Sequence, residues 1–241
     1  MRRKASEIFL AALVFELSLS TYNALLAAES DSELEQAVYE AYALAHFLGA
    51  VWCGLVLTGA KFPSQTKKQG VTVFQTAIKQ LAQDSGVKIP KVTFEKVIRQ
   101  VEAQAETAKS KIIEARVARA SQLDRTAETR AVGYAARWGV QQGIADMAEN
   151  SSAFGDDGQE VELLKTWVRL ATRVERRTWH DALIGKTILY SQKFKISSPR
   201  GTFFVGRPYD SSLPLSEKIG CGHGIRVEPP RGASIQLWDG S

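Results

Sequence analysis

Hydrophobic residues are unevenly spread along this 241-residue chain. Two nearly continuous apolar runs open it, Ile8 to Leu19 and Ala41 to Ala60. Between them lie Glu29, Asp31, Glu33, Glu35 and Glu40, with no basic residue. Runs of this length and texture predict two helices, joined as an antiparallel hairpin through the acidic segment near Ser30 to Ser32. Lys61 to Gly70 reads as a loop, broken by Pro63, Ser64 and Gly70. Val71, Phe74, Ala77, Ile78 and Leu81 then recur at helical spacing up to Asp84-Ser85-Gly86. From Thr93 a long helix is predicted, because Phe94, Val97, Ile98, Val101, Ala105, Ala108, Ile112, Ala115 and Ala120 recur at three- and four-residue steps. Ser121 and Asp124 can cap a further helix from about Arg125 to Ala148. Ser151 to Gln159, containing Gly155-Asp156-Asp157-Gly158, reads as a linker.

Beyond residue 159 the pattern changes. Val161, Leu164, Val168 and Ala171 have helical spacing, yet Thr166 to Leu170 also alternates as a strand does, and periodicity leaves both readings open. Arg173 to Leu183 reads as helix, with Gly185 where a C-terminal glycine belongs. Ile188, Tyr190, Phe194 and Ile196 alternate with polar residues, as do parts of Thr202 to Val205, with Ser198-Pro199-Arg200-Gly201 as the turn between them. The last stretch, rich in glycine and holding Pro208, Pro214, Pro229 and Pro230, reads as loop-rich. The expected fold is therefore mainly α, with long helices in the N-terminal and central parts and a small C-terminal α+β module. The expected regions are 1–90, N-terminal and helical; 91–155, long central helices; and 156–241, the basic module.

Charge sharpens this division. The net charge is only +5, but ten Lys or Arg lie between Lys165 and Arg207 against two acidic residues, Glu175 and Asp181. A surface of this sign attracts phosphate backbones or an acidic partner, and a solvated face is the competing reading. The candidate contacts are Lys165, Arg169, Arg173, Arg176, Arg177, Lys186, Lys193 and Lys195. The N-terminus imitates an export signal, with Arg2, Arg3 and Lys4 before the first apolar run. Glu16 interrupts that run and the chain begins at Met1, so an amphipathic or buried helix is expected instead. Ala41 to Ala60 is nearly long enough to cross a bilayer, but His46, Gly49, Gly54 and Gly59 suit close helix packing.

Candidate chemistry is sparse. There are three histidines and two cysteines, and Cys53 and Cys221 stand in unlike contexts that suggest no disulfide and a reducing compartment. No phosphate-binding glycine loop, nucleophile elbow or zinc-protease helix motif is present. His180 and the pair Cys221-Gly222-His223 offer imidazole and thiolate, the ligand types of a structural zinc ion, with Asp210 or a water as a fourth ligand. Such a clasp suits a small module with little apolar content. In the alternative, His180 bonds to backbone, Cys221 is a small buried residue and His223 lies at the surface. A metal-dependent hydrolase or nuclease built on His180, His223 and Asp210 is another alternative. It lacks a positioned acid or base, because Asp181 is expected on a different helix face from His180.

Several short stretches, in order, are similar to one family. They are Arg125-Thr126-Ala127-Glu128-Thr129 before Gly133, Lys165-Thr166-Trp167, and Arg173-Val174-Glu175-Arg176-Arg177-Thr178-Trp179-His180. Leu183-Ile184-Gly185, Phe194, Pro208-Tyr209-Asp210 and Ile219-Gly220-Cys221-Gly222-His223 follow. Over about residues 115 to 227 the chain resembles the phage head morphogenesis family, also called minor head or Mu F-like proteins. It departs from that pattern at Gly220, where the family has Asn, at Tyr209, where it has Gly, and at His223, where it has a second Cys. The last exchange keeps zinc-ligand chemistry. The resemblance implies a non-enzymatic virion protein, present in a few copies in the phage head near the portal and made in the host cytoplasm. Packaged DNA or an acidic portal face would neighbour its basic module, and its N-terminal helices would bind portal or scaffold. A membrane-associated genome-delivery protein using Ala41 to Ala60 is a further alternative.

Overall fold

In the computed structural model, residues 5–27, 30–62, 76, 79, 80, 83, 125–170, 177–218 and 221–238 are described. The helix expected from Thr93 lies outside them, as do Arg173 and Arg176. The helices bounded among the described residues of the first part are α1 (Ala5–Ala27), α2 (Asp31–Leu57) and α3 (Arg125–Glu149). Helix α1 buries Phe9, Leu10, Leu13, Val14 and Leu17, one stripe at three- and four-residue steps. A capping box opens α2, in which Ser30 Oγ accepts from the Glu33 amide at 3.2 Å and the Ser30 amide donates to Glu33 Oε2 at 3.3 Å. The far end of α2 returns to the start of α1, where Trp52 Nε1 donates to the Ser6 carbonyl at 3.1 Å.

Glycine sets the approach of α2 to α3. A Cβ on Gly143 would stand 1.9 Å from the His46 carbonyl oxygen, and one on Gly49 would stand 2.2 Å from that of Val140. The two backbones therefore touch, which any larger residue would prevent. Beside this seam, His46 Nε2 lies 2.6 Å from Asp146 Oδ2, and Tyr42 meets Trp138 edge-on at 4.8 Å. The window Glu40–Leu57 is long and apolar enough to cross a membrane, but 67% of it is buried inside the fold. In this structure it behaves as a core helix.

The C-terminal half corrects the expected fold class. Among its described residues eight strands form three antiparallel sheets, so the fold is α+β and not mainly α with a small appended module. Nor does the expectation of long helices hold. Among the described residues five helices occur, none above 27 residues, and two are single turns: α4 (Thr178–Asp181) and α5 (Leu215–Lys218).

The first sheet has the order β2-β1-β8, from β1 (Ser152–Phe154), β2 (Glu160–Val161) and β8 (Ser234–Gln236). The expected linker, Ser151 to Gln159, instead holds strand β1 and the hairpin turn at 155–158 that joins it to β2, closed by the Gly158 amide on the Gly155 carbonyl, with Gly158 at φ 73°. The second sheet runs β4-β3-β7, from β3 (Leu164–Arg169), β4 (Thr187–Leu189) and β7 (His223–Glu228). Its register pairs Trp167 with Ile225 and Arg169 with His223. The third is the hairpin of β5 (Phe194–Ser198) and β6 (Gly201–Val205).

Strand β3 resolves the ambiguous stretch, and its reason is burial. Lys165, Thr166, Trp167 and Val168 are all buried, so both faces of the strand are covered and simple alternation is lost. One continuous core joins helices to sheets, from Phe9 and Leu13 through Trp52 and Val140 to Trp167 and Val227. The free side of β7 is met by α3, whose Gln141 side chain accepts from the Ile225 amide at 2.8 Å.

Candidate metal centre

Trp167 on β3 organises the site. Its amide donates to the Lys186 carbonyl at 3.0 Å, and its carbonyl accepts from the Gly185 amide at 2.8 Å. Gly185, at φ 83°, turns the chain after α4 and brings that helix back against the strand. The helical turn places His180 edge-on to the Trp167 ring, 5.9 Å between centroids. His223 opens β7 opposite Arg169, so the sheet register delivers it to the same spot, 5.6 Å from the His180 ring.

Cys221 arrives from the other side. Its amide donates to the Lys218 carbonyl at 3.0 Å, a tight exit from α5. Its carbonyl accepts from Tyr209 Oη, and Tyr209 Oη in turn accepts from Arg137 Nε of α3 at 3.0 Å. Helix α5 is tied to α4 by Arg177, which donates to the carbonyls of Glu217 and Ser216, and by Trp179 Nε1, which donates to Glu217 Oε2 at 3.0 Å.

The resulting contacts are specific. His180 Nδ1 lies 3.3 Å from Cys221 Sγ, and His223 Nδ1 lies 3.6 Å from the same sulfur. Each imidazole turns its other nitrogen toward a carboxylate: His223 Nε2 hydrogen-bonds Asp181 Oδ1 at 2.9 Å, while His180 Nε2 lies 3.3 Å from Glu217 Oε2, at ion-pair distance but outside hydrogen-bond geometry. Arg169 backs Asp181 at 3.2 Å, and Arg177 lies 3.8 Å from Glu217. The three candidate ligands are all buried, His180 completely.

Burial sets the protonation of this group. It lowers His180 to about 4, helped by the charges of His223 and Arg177 and opposed by Glu217. Burial also lowers His223 to about 4, against the Asp181 hydrogen bond, and raises the Cys221 thiol to about 11. At neutral pH the metal-free cluster is thus two neutral imidazoles and a thiol, with nitrogen lone pairs available.

Of the four metal-ligand candidates, the structure brings together His180, Cys221 and His223. Asp210 is elsewhere: one oxygen accepts from the Gly206 amide at 2.9 Å and the other from Ser212 at 2.8 and 2.9 Å. Those bonds hold its carboxyl below the ordinary value against the effect of burial. Glu217 carries no signal in the sequence that would mark it as part of the site. Asp181, set apart from His180 by its helix face, serves His223 instead.

The basic candidates also separate. Lys165 is buried, its ammonium 5.0 Å from the Tyr190 ring and 5.8 Å from that of Phe194, and burial with the nearby Arg207 charge lowers its pKa to about 8. Arg177 is buried in its carbonyl contacts, and Arg169 is paired with Asp181. Lys186, Lys193 and Lys195 are exposed. On the β5–β6 hairpin Lys195 pairs with Phe204, itself 57% exposed, while Phe194, Ile196 and Val205 point into the core. Comparison of the chain with protein-family models, with curated proteins and with solved structures gives no match.

Proposed function

We propose that the chain is a structural and assembly protein of a tailed-phage virion, a minor head protein near the portal. What supports the reading is that the residues carrying the family resemblance, drawn from separate stretches, meet in one cluster: Trp167, Arg177, Trp179, His180, Tyr209, Cys221 and His223. Tyr209 adds to it. It stands where the family has Gly and is the one non-glycine among the described residues with a left-handed backbone, at φ 69°. The conformation a glycine would favour is thus retained, at a cost of about 1 kcal/mol, and the phenol's bonds to Cys221 and Arg137 offset it.

In this reading the α+β half is a rigid anchor, several copies of which contact portal and other head proteins. The exposed face of the β5–β6 hairpin, with Lys193, Lys195, Arg200 and Phe204, is the surface that meets packaged DNA or an acidic portal face. The protein has no catalytic step of its own, is made in the host cytoplasm and ends in the virion. Quantitative mass spectrometry of particles purified from the phage that encodes the chain tests this. A few copies per particle, copurifying with portal protein, are expected; particles that lack the chain overturn the proposal.

A further inference from the structure

We infer that His180 Nδ1, Cys221 Sγ and His223 Nδ1 bind one zinc ion, with Glu217 and Asp181 as the outer carboxylates that orient the two imidazoles. The inference stands on the geometry of the cluster and does not depend on the virion reading. A zinc tetrahedron with zinc–nitrogen and zinc–sulfur distances of about 2.05 and 2.3 Å has nitrogen–sulfur edges of about 3.6 Å. The observed nitrogen–sulfur edges are 3.3 and 3.6 Å; the nitrogen–nitrogen edge of such a tetrahedron is about 3.3 Å, and the three ligand atoms, within 4.8 Å of one another, are near enough to close to it around an ion.

Proton counting separates a metal site from a hydrogen-bonded cluster. An unprotonated nitrogen facing a carboxylate is repelled, so Nε2 carries the proton in His180 and in His223, where Glu217 and Asp181 face it. Both Nδ1 atoms then turn lone pairs toward one sulfur. A thiol has one proton to offer them, so one buried acceptor stays unmatched in the metal-free chain. A divalent ion matches both at once: Zn²⁺ replaces the thiol proton, which leaves to solvent, and three donor atoms converge on it. Thiolate with imidazole selects zinc over magnesium or calcium, which prefer oxygen. A carboxylate on the far nitrogen of each ligating imidazole is the usual outer arrangement of such sites. Asp210 has no part in it, because its oxygens are taken by Gly206 and Ser212.

The full chain is purified without added metal, assayed for zinc, and then loaded with cobalt(II) as a spectroscopic probe. One zinc per chain and a thiolate-to-cobalt charge-transfer band are expected, and Cys221→Ser loses the band. Glu217→Gln keeps the ligands and serves where Cys221→Ser fails to fold; it retains the band while zinc affinity falls about 10- to 100-fold. A folded wild-type chain that takes up neither zinc nor cobalt overturns the inference. So does a folded Cys221→Ser chain that keeps the band, or a Glu217→Gln chain with unchanged affinity.

Discussion

Two regions of this molecule bury histidine against carboxylate, and they do so to different ends. At the α2–α3 seam, His46 lies 2.6 Å from Asp146, and its Nδ1 is buried with no hydrogen-bond partner. Among the described residues no group of three ligand-type side chains forms there. Around Trp167, His180 and His223 also face carboxylates, yet their remaining nitrogens converge on a single sulfur. A buried histidine–carboxylate pair is thus a packing element on its own. It becomes a candidate metal ligand only where the second nitrogen meets another donor.

Chelation should break the comparison most strongly. With free zinc about a thousandfold above Kd, binding stabilises the fold by about 4 kcal/mol. For a chain of this size that is roughly 10 °C in Tm. Thermal unfolding with and without a chelator should show that drop in wild type and none in Cys221→Ser. At the seam, Gly143→Ala forces a methyl into the His46 carbonyl and should cost about 3 kcal/mol by denaturant unfolding, with zinc content unchanged. Asp146→Ala strips His46 of its acceptor and should cost about 2 kcal/mol, again without touching metal uptake.

Smaller effects belong to the lysines. Lys165 titrates near 8 in the folded chain against an ordinary 10.5, so between those values the unfolded chain holds a proton that the folded chain has given up. Stability should therefore rise with pH from about 8 toward 10.5, and Lys165→Met should abolish the rise in denaturant titrations across that range. Replacing Lys193, Lys195 and Arg200 with Ala should change stability by less than about 0.5 kcal/mol. The same triple variant should elute from immobilised DNA at lower salt, with the salt slope reduced by about 0.9 for each phosphate it no longer neutralises. Unchanged elution would remove the hairpin as the DNA-facing surface.

Much of the helical part can be read from spacing, because α1 and α2 bury residues that are near neighbours in the chain. Sheets are harder to see. Strand β3 is covered on both faces, and its partner β7 comes more than 50 residues later, so neither alternation nor a short hairpin announces the pair. Gly155 to Gly158 has the composition of a linker and of a hairpin turn alike; only its pairing partner, the strand at Glu160, decides between them. These short, distant pairings explain why the sequence pattern points to a mainly helical fold and the structure is α+β. His180, Cys221 and His223 are visible by residue type, since the sequence has only three histidines and two cysteines. Glu217 is not, because nothing local ties it to His180. Only the docking of α5 on α4 through Arg177 and Trp179 brings it there.

X-ray absorption at the zinc edge of the loaded chain tests the central claim most directly. A first shell containing one sulfur at about 2.3 Å, with nitrogen at about 2.0–2.1 Å and an outer-shell imidazole signature, is predicted. A shell of nitrogen and oxygen alone, with no sulfur, would contradict it.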